Sequence, residues 1–152
     1  MAIVQICAEQ VSTIFQGYAT TVTCGNPAYT PVGAGDHCNM AVYNVALNTA
    51  TSPMTLAFSF DVELKYLFLN HGITFADYCV VNNQSGSVTL PDSGLSLCDC
   101  GLTPTYQVAY TCNSGSITTT STMVQSPINL AFTVSNLCTP TVFCVSTVDC
   151  AV

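Results

Sequence analysis

"TLAFSFDVELKYLFL", Thr55 to Leu69, is the stretch that decides how this chain folds. Its even positions are Leu56, Phe58, Phe60, Val62, Leu64, Tyr66 and Phe68, all apolar. Its odd positions begin Thr55, Ala57, Ser59, Asp61, Glu63 and Lys65. A period of two is the pattern of a β-strand that turns one face to a core and the other to water. Fully extended, such a run spans about 50 Å, long for one strand, so a bend or bulge is expected near Asp61.

Neighbouring segments follow the same rule. "TYQVAYTC" (105–112) puts Tyr106, Val108, Tyr110 and Cys112 on one face. The turn "NSG" (113–115) and the run "SITTTSTMV" (116–124) then predict a hairpin. "INLAFTVSNL" (128–137) aligns Ile128, Leu130, Phe132 and Val134, and "TVFCVSTV" (141–148) is β-branched after Thr139-Pro140. "YCVV" and "SVTL" read as two strands joined by the loop "NNQSGS" (82–87), while "PVGAGD" (31–36) and "PDSG" (91–94) read as turns. The best helix candidate, "NMAVYNVALNTA" (39–50), alternates equally well as a strand. Turn signals recur every 8–15 residues or so, which suggests an all-β sandwich or jelly-roll-like domain. The expected organisation is a single β-sandwich over residues 13–137. An N-terminal arm or edge strand over 1–12 and a cysteine-rich C-terminal strand or arm over 138–152 flank it.

Charge is scarce. Of 152 residues 6% are charged, with one Lys or Arg against eight Asp and Glu; about 25% is ordinary. A single cation, Lys65, cannot form the basic surface that phosphate backbones require, which excludes nucleic acid as a partner and argues against docking on anionic lipid. The longest apolar run, "YLFL" (66–69), falls far short of the roughly 20 residues of a membrane span. Serine, threonine, asparagine and glutamine supply the polar surface. Such groups are inexpensive to desolvate when each finds a partner, so the surface suits burial against other copies. Scarcity of Lys and Arg also denies trypsin-like proteases their sites.

The chain carries ten cysteines, at 7, 24, 38, 79, 98, 100, 112, 138, 144 and 150. No Cys-x-x-Cys pair is present, so the spacing gives little support to structural zinc; His37-Cys38 and Cys98-x-Cys100 are the nearest approach. No haem or iron–sulfur spacing occurs, and no cofactor is implied. Disulfides are the default reading, which points to an oxidising compartment. The first residues, "MAIVQICAEQ", lack the basic and long apolar regions of a signal peptide. Either a leader has been removed, or the chain is made inside a cell and oxidised later. Cys98 and Cys100 share a face but sit about 7 Å apart, too far for an easy mutual bond, so each is expected to take a different partner. Termini are the least tied parts of a domain, and cysteines there are well placed to reach neighbours. Cys7, Cys144 and Cys150 are therefore candidates for bonds between subunits, with the Cys98/Cys100 loop as acceptor. Cys24, Cys38, Cys79, Cys112 and Cys138 are candidates for bonds within the chain. Five bridges all inside one chain remain the alternative.

Catalytic signals are weak. Cys38 or Cys79 with His37 or His71 is a conceivable nucleophile pair, but every cysteine has a competing disulfide role. No G-x-S-x-G elbow and no glycine-rich phosphate loop occurs. Asp61, Glu63 and Lys65 read as a charged stripe on the solvent face rather than a glycosidase pair. Lys65 could form an isopeptide bond only if buried, which its outward parity opposes. Asn83-Gln84-Ser85 fits a glycosylation sequon, a three-residue pattern of low specificity.

A small β-domain with few charges, many Ser and Thr, and cysteines at both ends resembles the subunits of bacterial endospore appendages. The resemblance is one of architecture and composition over the whole chain. It implies jelly-roll domains stacked into fibres, made in the mother cell without a signal peptide and joined by connector cysteines. Cys7 falls where such a connector cysteine would lie; the surplus here is at Cys138, Cys144 and Cys150. The expectation is therefore a structural subunit of a disulfide-cross-linked homo-oligomeric helical filament, extracellular or on a cell or spore surface. A secreted binding or adhesion domain, a viral coat subunit and an enzyme are the alternatives.

Overall fold

The computed structural model describes residues 2–91, 94–98 and 102–149. Among the described residues eight strands make two antiparallel sheets: β1 (Ala2–Cys24), β2 (Gly33–Asn48), β3 (Thr55–Asn70), β4 (Ile73–Thr89), β5 (Ser96–Leu97), β6 (Thr105–Cys112), β7 (Thr118–Thr119) and β8 (Val124–Asp149). The chain is all-β, as the alternation in Thr55–Leu69 requires, and the two sheets pack as a sandwich.

One sheet is the meander β2-β3-β4 with β3 at its centre. Every even residue from Leu56 to Phe68 is buried, and Leu56, Val62, Leu64 and Tyr66 are fully so. The β3–β4 hairpin closes through His71 and Gly72, with φ of 52° and 76°. Positive φ at both central residues matches the right-handed twist of the strands they join. In the other sheet β8 is central. β1 pairs along one side of it from Cys24↔Val124 to Ala2↔Asp149. On its other side β5, β6 and β7 pair in succession with Leu137–Cys138, Ile128–Ser135 and Val124–Gln125. They act as one interrupted edge strand. Across the layers, Phe58 of β3 meets Phe132 of β8 with ring centroids 4.7 Å apart.

Three strand segments hold one extra residue each, and each has an asparagine in the left-handed region: Asn44, Asn83 and Asn136, with φ of 54°, 56° and 65°. They sit at the register shifts Tyr43/Ala46 on β2, opposite Asp61 on β4, and opposite Thr13 on β8. Asparagine tolerates this conformation better than other side-chain-bearing residues, which suits it to bulges.

Three sequence expectations are corrected. The expected hairpin 105–124 is absent as such: β6 pairs with β8, a 3-10 turn (Ser114–Ser116) follows, and only the two-residue β7 pairs back. The alternative partner wins because β8 offers eight matched positions in register, far more than the short return. The "NNQSGS" loop is instead part of continuous β4; its polar residues are tolerated because the bulge at 82–83 reaims them. The turn assigned to 31–36 gives way to β2 from Gly33. The bulge expected near Asp61 does lie there, with the extra residue on the partner strand β4.

The terminal arms are partners. Ala2–Glu9 pairs with Val142–Asp149 as a two-stranded ribbon that continues β1 and β8 out of the sheet.

Candidate functional site: bridged flanks and open sheet edges

Three disulfides join described residues. Cys24–Cys79 links β1 to β4, and Cys38–Cys112 links β2 to β6, each with Cα atoms 6.0 Å apart. Both cross between layers, one on each flank of the sandwich. Cys98–Cys138, at 5.2 Å, ties the β5 region to β8. The pairing on the two flanks follows from topology: β1 lies over β4 and β6 over β2, so the cysteines that end β1 and β6 find counterparts within the facing strands β4 and β2.

The structure corrects the assignment of Cys98 to a neighbouring subunit. Cys98 is buried and bonded to Cys138 of its own chain, because β5 is held in register against Leu137–Cys138. Cys24, Cys38, Cys79, Cys112 and Cys138 all bond within the chain. Cys7 and Cys144 are backbone register partners across the terminal ribbon. Cys100 and Cys150 lie outside the described residues.

The thiols of the conceivable nucleophile pairs are consumed: Cys38 and Cys79 are both disulfide-bonded. His37 packs edge-on to Tyr78, centroids 6.1 Å apart, and His71 forms the hairpin turn. Among the described residues no group of three or more His, Cys, Asp and Glu is placed to hold a metal ion. Lys65 Nζ lies 2.8 Å from Asp36 Oδ1 on the solvent face. The hydrogen bond to Lys65 holds the Asp36 carboxyl below the usual carboxylate value, and the same bond raises the Lys65 ammonium. Asp61 serves the bulge: its Oδ1 accepts from the Tyr43 hydroxyl at 2.8 Å and the Asn83 backbone N–H at 2.8 Å. The Tyr43 oxygen also lies 2.9 Å from Asn83 Oδ1, so its single proton is shared between the two acceptors, and its phenol is pushed up, chiefly by the bond to Asp61. Glu63 Oε2 accepts from Asn39 Nδ2 at 3.4 Å. The stripe Asp61-Glu63-Lys65 is thus on the outer face, where its bonds pin neighbouring strands.

What the sequence did not mark is the pattern of exposed apolar surface. Phe15 is 72% exposed and Val11 48% on β1; Tyr110 is 51% exposed on β6. At the β3–β4 turn Leu69, Ile73 and Phe75 are exposed beside Tyr29, whose ring stacks on Phe68 at 4.0 Å. Strand parity alone cannot reveal these residues, because exposure depends on which strands lie at an edge. The chain matches no family model, no curated protein and no solved structure.

Proposed function

We propose that this chain is a structural subunit of a self-assembling fibre, extracellular or on a cell or spore surface, with disulfides joining neighbouring copies. The observation that carries the reading is a disulfide-stapled, rigid sandwich whose surface is poor in charge and rich in exposed apolar side chains such as Phe15 and Ile73. A soluble monomer normally keeps copies apart with charge, and 6% charged residues supply little of it. Large exposed apolar groups at strand edges mark surfaces for burial. Disulfides belong to an oxidising environment, which supports a site of action outside a reducing cytosol. A structural rather than a catalytic role agrees with the consumption of Cys38 and Cys79 in bridges.

Negative-stain microscopy of the purified, oxidised chain tests this directly. Filaments are expected, with ladders or well-retained material on non-reducing gels that collapse to one band on reduction. A monodisperse oxidised monomer refutes the reading and favours a secreted binding domain.

A further inference from the structure

Each sheet has two edges, and the four edges are not alike. β2 carries Asp36 and two register shifts along its length. β4 carries a bulge and Asp77, which lies on the core side opposite Tyr66. Bulges and charges, inward-pointing ones included, are the devices by which edge strands avoid pairing with other chains. The edge strands of the other sheet lack them over most of their length: its bulges lie on central β8, and Glu9 of β1 falls in the terminal ribbon. From Gln10 to Cys24 β1 holds no charged residue and no proline, and from Ile14 to Cys24 its register is unbroken. β6 likewise has no charge, no proline and eight unbroken positions from Thr105 to Cys112. Among the described residues β1 and β6 pair with no strand except β8. Both edges also carry exposed apolar side chains: Val11 and Phe15 on one, Tyr106 and Tyr110 on the other.

We infer that the unguarded β1 edge of one copy pairs with the β6 edge of the next, so that the β1-β8-β6 sheet runs on without interruption from subunit to subunit. The inference rests on the fibre reading and names its junction. Because β1 and β6 are both antiparallel to β8, they run in the same direction. A copy displaced along the hydrogen-bonding direction therefore lays its β1 parallel to β6 of its neighbour. Parallel ladders form evenly spaced bonds and need no reversal of the subunit. The contact joins two different surfaces, so it is heterologous and need not close. The second layer, β2-β3-β4, is also three strands wide, so stacked copies leave no gap between layers. Three strands at about 4.8 Å give a rise near 14 Å per subunit. Tyr106 and Tyr110 lie on the core side of β6, opposite the buried Val134 and Leu130. A strand added beyond β6 would cover them.

The test uses the full oxidised chain and three lysine substitutions on the outer face: Ala19→Lys on β1, Ala109→Lys on β6, and Ala131→Lys on central β8. All three alanines are exposed, so the core is untouched. Assembly is read by pelleting and microscopy, and mass by light scattering. A19K and A109K are each expected to lose at least tenfold in pelleted filament, while A131K assembles like the parent. Mixing A19K with A109K should give dimers that grow no further, since one unblocked edge of each kind remains. The junction is overturned if A19K and A109K both assemble at parental levels, if each forms dimers alone, or if A131K loses assembly equally. Parental filaments with any of these results leave the fibre reading standing; a parent that stays monomeric overturns both.

Discussion

Gly86 sits where β4 crosses the aromatic cluster that joins β1 to the meander. A Cβ added there would lie 2.7 Å from Phe58 Cζ, 2.9 Å from Cε2 and 3.0 Å from Tyr18 Cζ. Phe58 is held edge-on to Tyr18 at 4.9 Å and against Phe132 at 4.7 Å, and is 2% exposed, so it has nowhere to retreat. Two effects oppose each other in Gly86→Ala. Removing a glycine from a strand interior gains about 0.5–1 kcal/mol, whereas overpacking costs about 1–3 kcal/mol. With Phe58 unable to move, overpacking outweighs the gain: the two ranges differ by about 0–2.5 kcal/mol, and a net loss of about 1 kcal/mol is expected from their midpoints. In a Phe58→Leu background the two closest ring atoms are gone and only the Tyr18 Cζ approach remains, so the same glycine substitution should become nearly neutral. Urea denaturation of the dilute, unreduced chain across the four members of this cycle measures the coupling. Equal costs of Gly86→Ala in both backgrounds, within about 0.5 kcal/mol, would show that the close approach to Phe58 does not control this site.

The flank disulfides close separations of 55 and 74 residues. In the chain-entropy account each contributes about 4 kcal/mol, so C24S/C79S or C38S/C112S should lower the urea midpoint enough to leave a marginal domain. A loss below about 1 kcal/mol for either pair contradicts that account. Asp36 titrates below its ordinary value of about 4 because of Lys65. Its contribution is therefore complete above that value and disappears as pH falls through the lower folded value. Thermal stability of the parent and D36N should converge as pH drops toward 2 or so, where both carry a neutral side chain; a gap that is constant with pH removes the ion pair from the account. Tyr43 titrates above its ordinary value through its bond to Asp61. In D61N the alkaline absorbance change of that phenol should move to lower pH, with Y43F identifying the signal.

Much of this architecture can be read from residue order where burial is one-sided. β3 is the clearest case: alternation over Leu56–Phe68 places the core before any coordinate is known, because a period-two pattern has only one way to hide its apolar half. The bulge near Asp61 is also legible, from length alone. Pairing was harder. Residues 105–124 look like a hairpin locally, but β8 competes for both halves with a longer matched register. The polar run 82–87 mimics a loop because its side chains say nothing about backbone pairing. The bond of Cys98 is hidden for a related reason: its partner depends on β5 docking at Cys138, a contact 40 residues away in sequence. The unguarded edges could not be found from β1 and β6 alone, since a strand is an edge only relative to its neighbours.

The two flank bridges have a mechanical consequence. Force applied across the three-stranded sheet peels β1 from β8 and β8 from β6 by breaking backbone bonds one after another. Without the bridges, only roughly 90 residues of backbone between Cys24 and Cys112 would then connect the two sides, a slack of about 300 Å. With them, the covalent route runs through Cys24–Cys79, back along β4 and β3 to Cys38, and out through Cys112. That route holds only about 40 residues and pulls taut near 140 Å. The sulfurs thus act as a strain limiter: a torn layer is caught within half the extension, its strands still near enough to zip closed when the load is released.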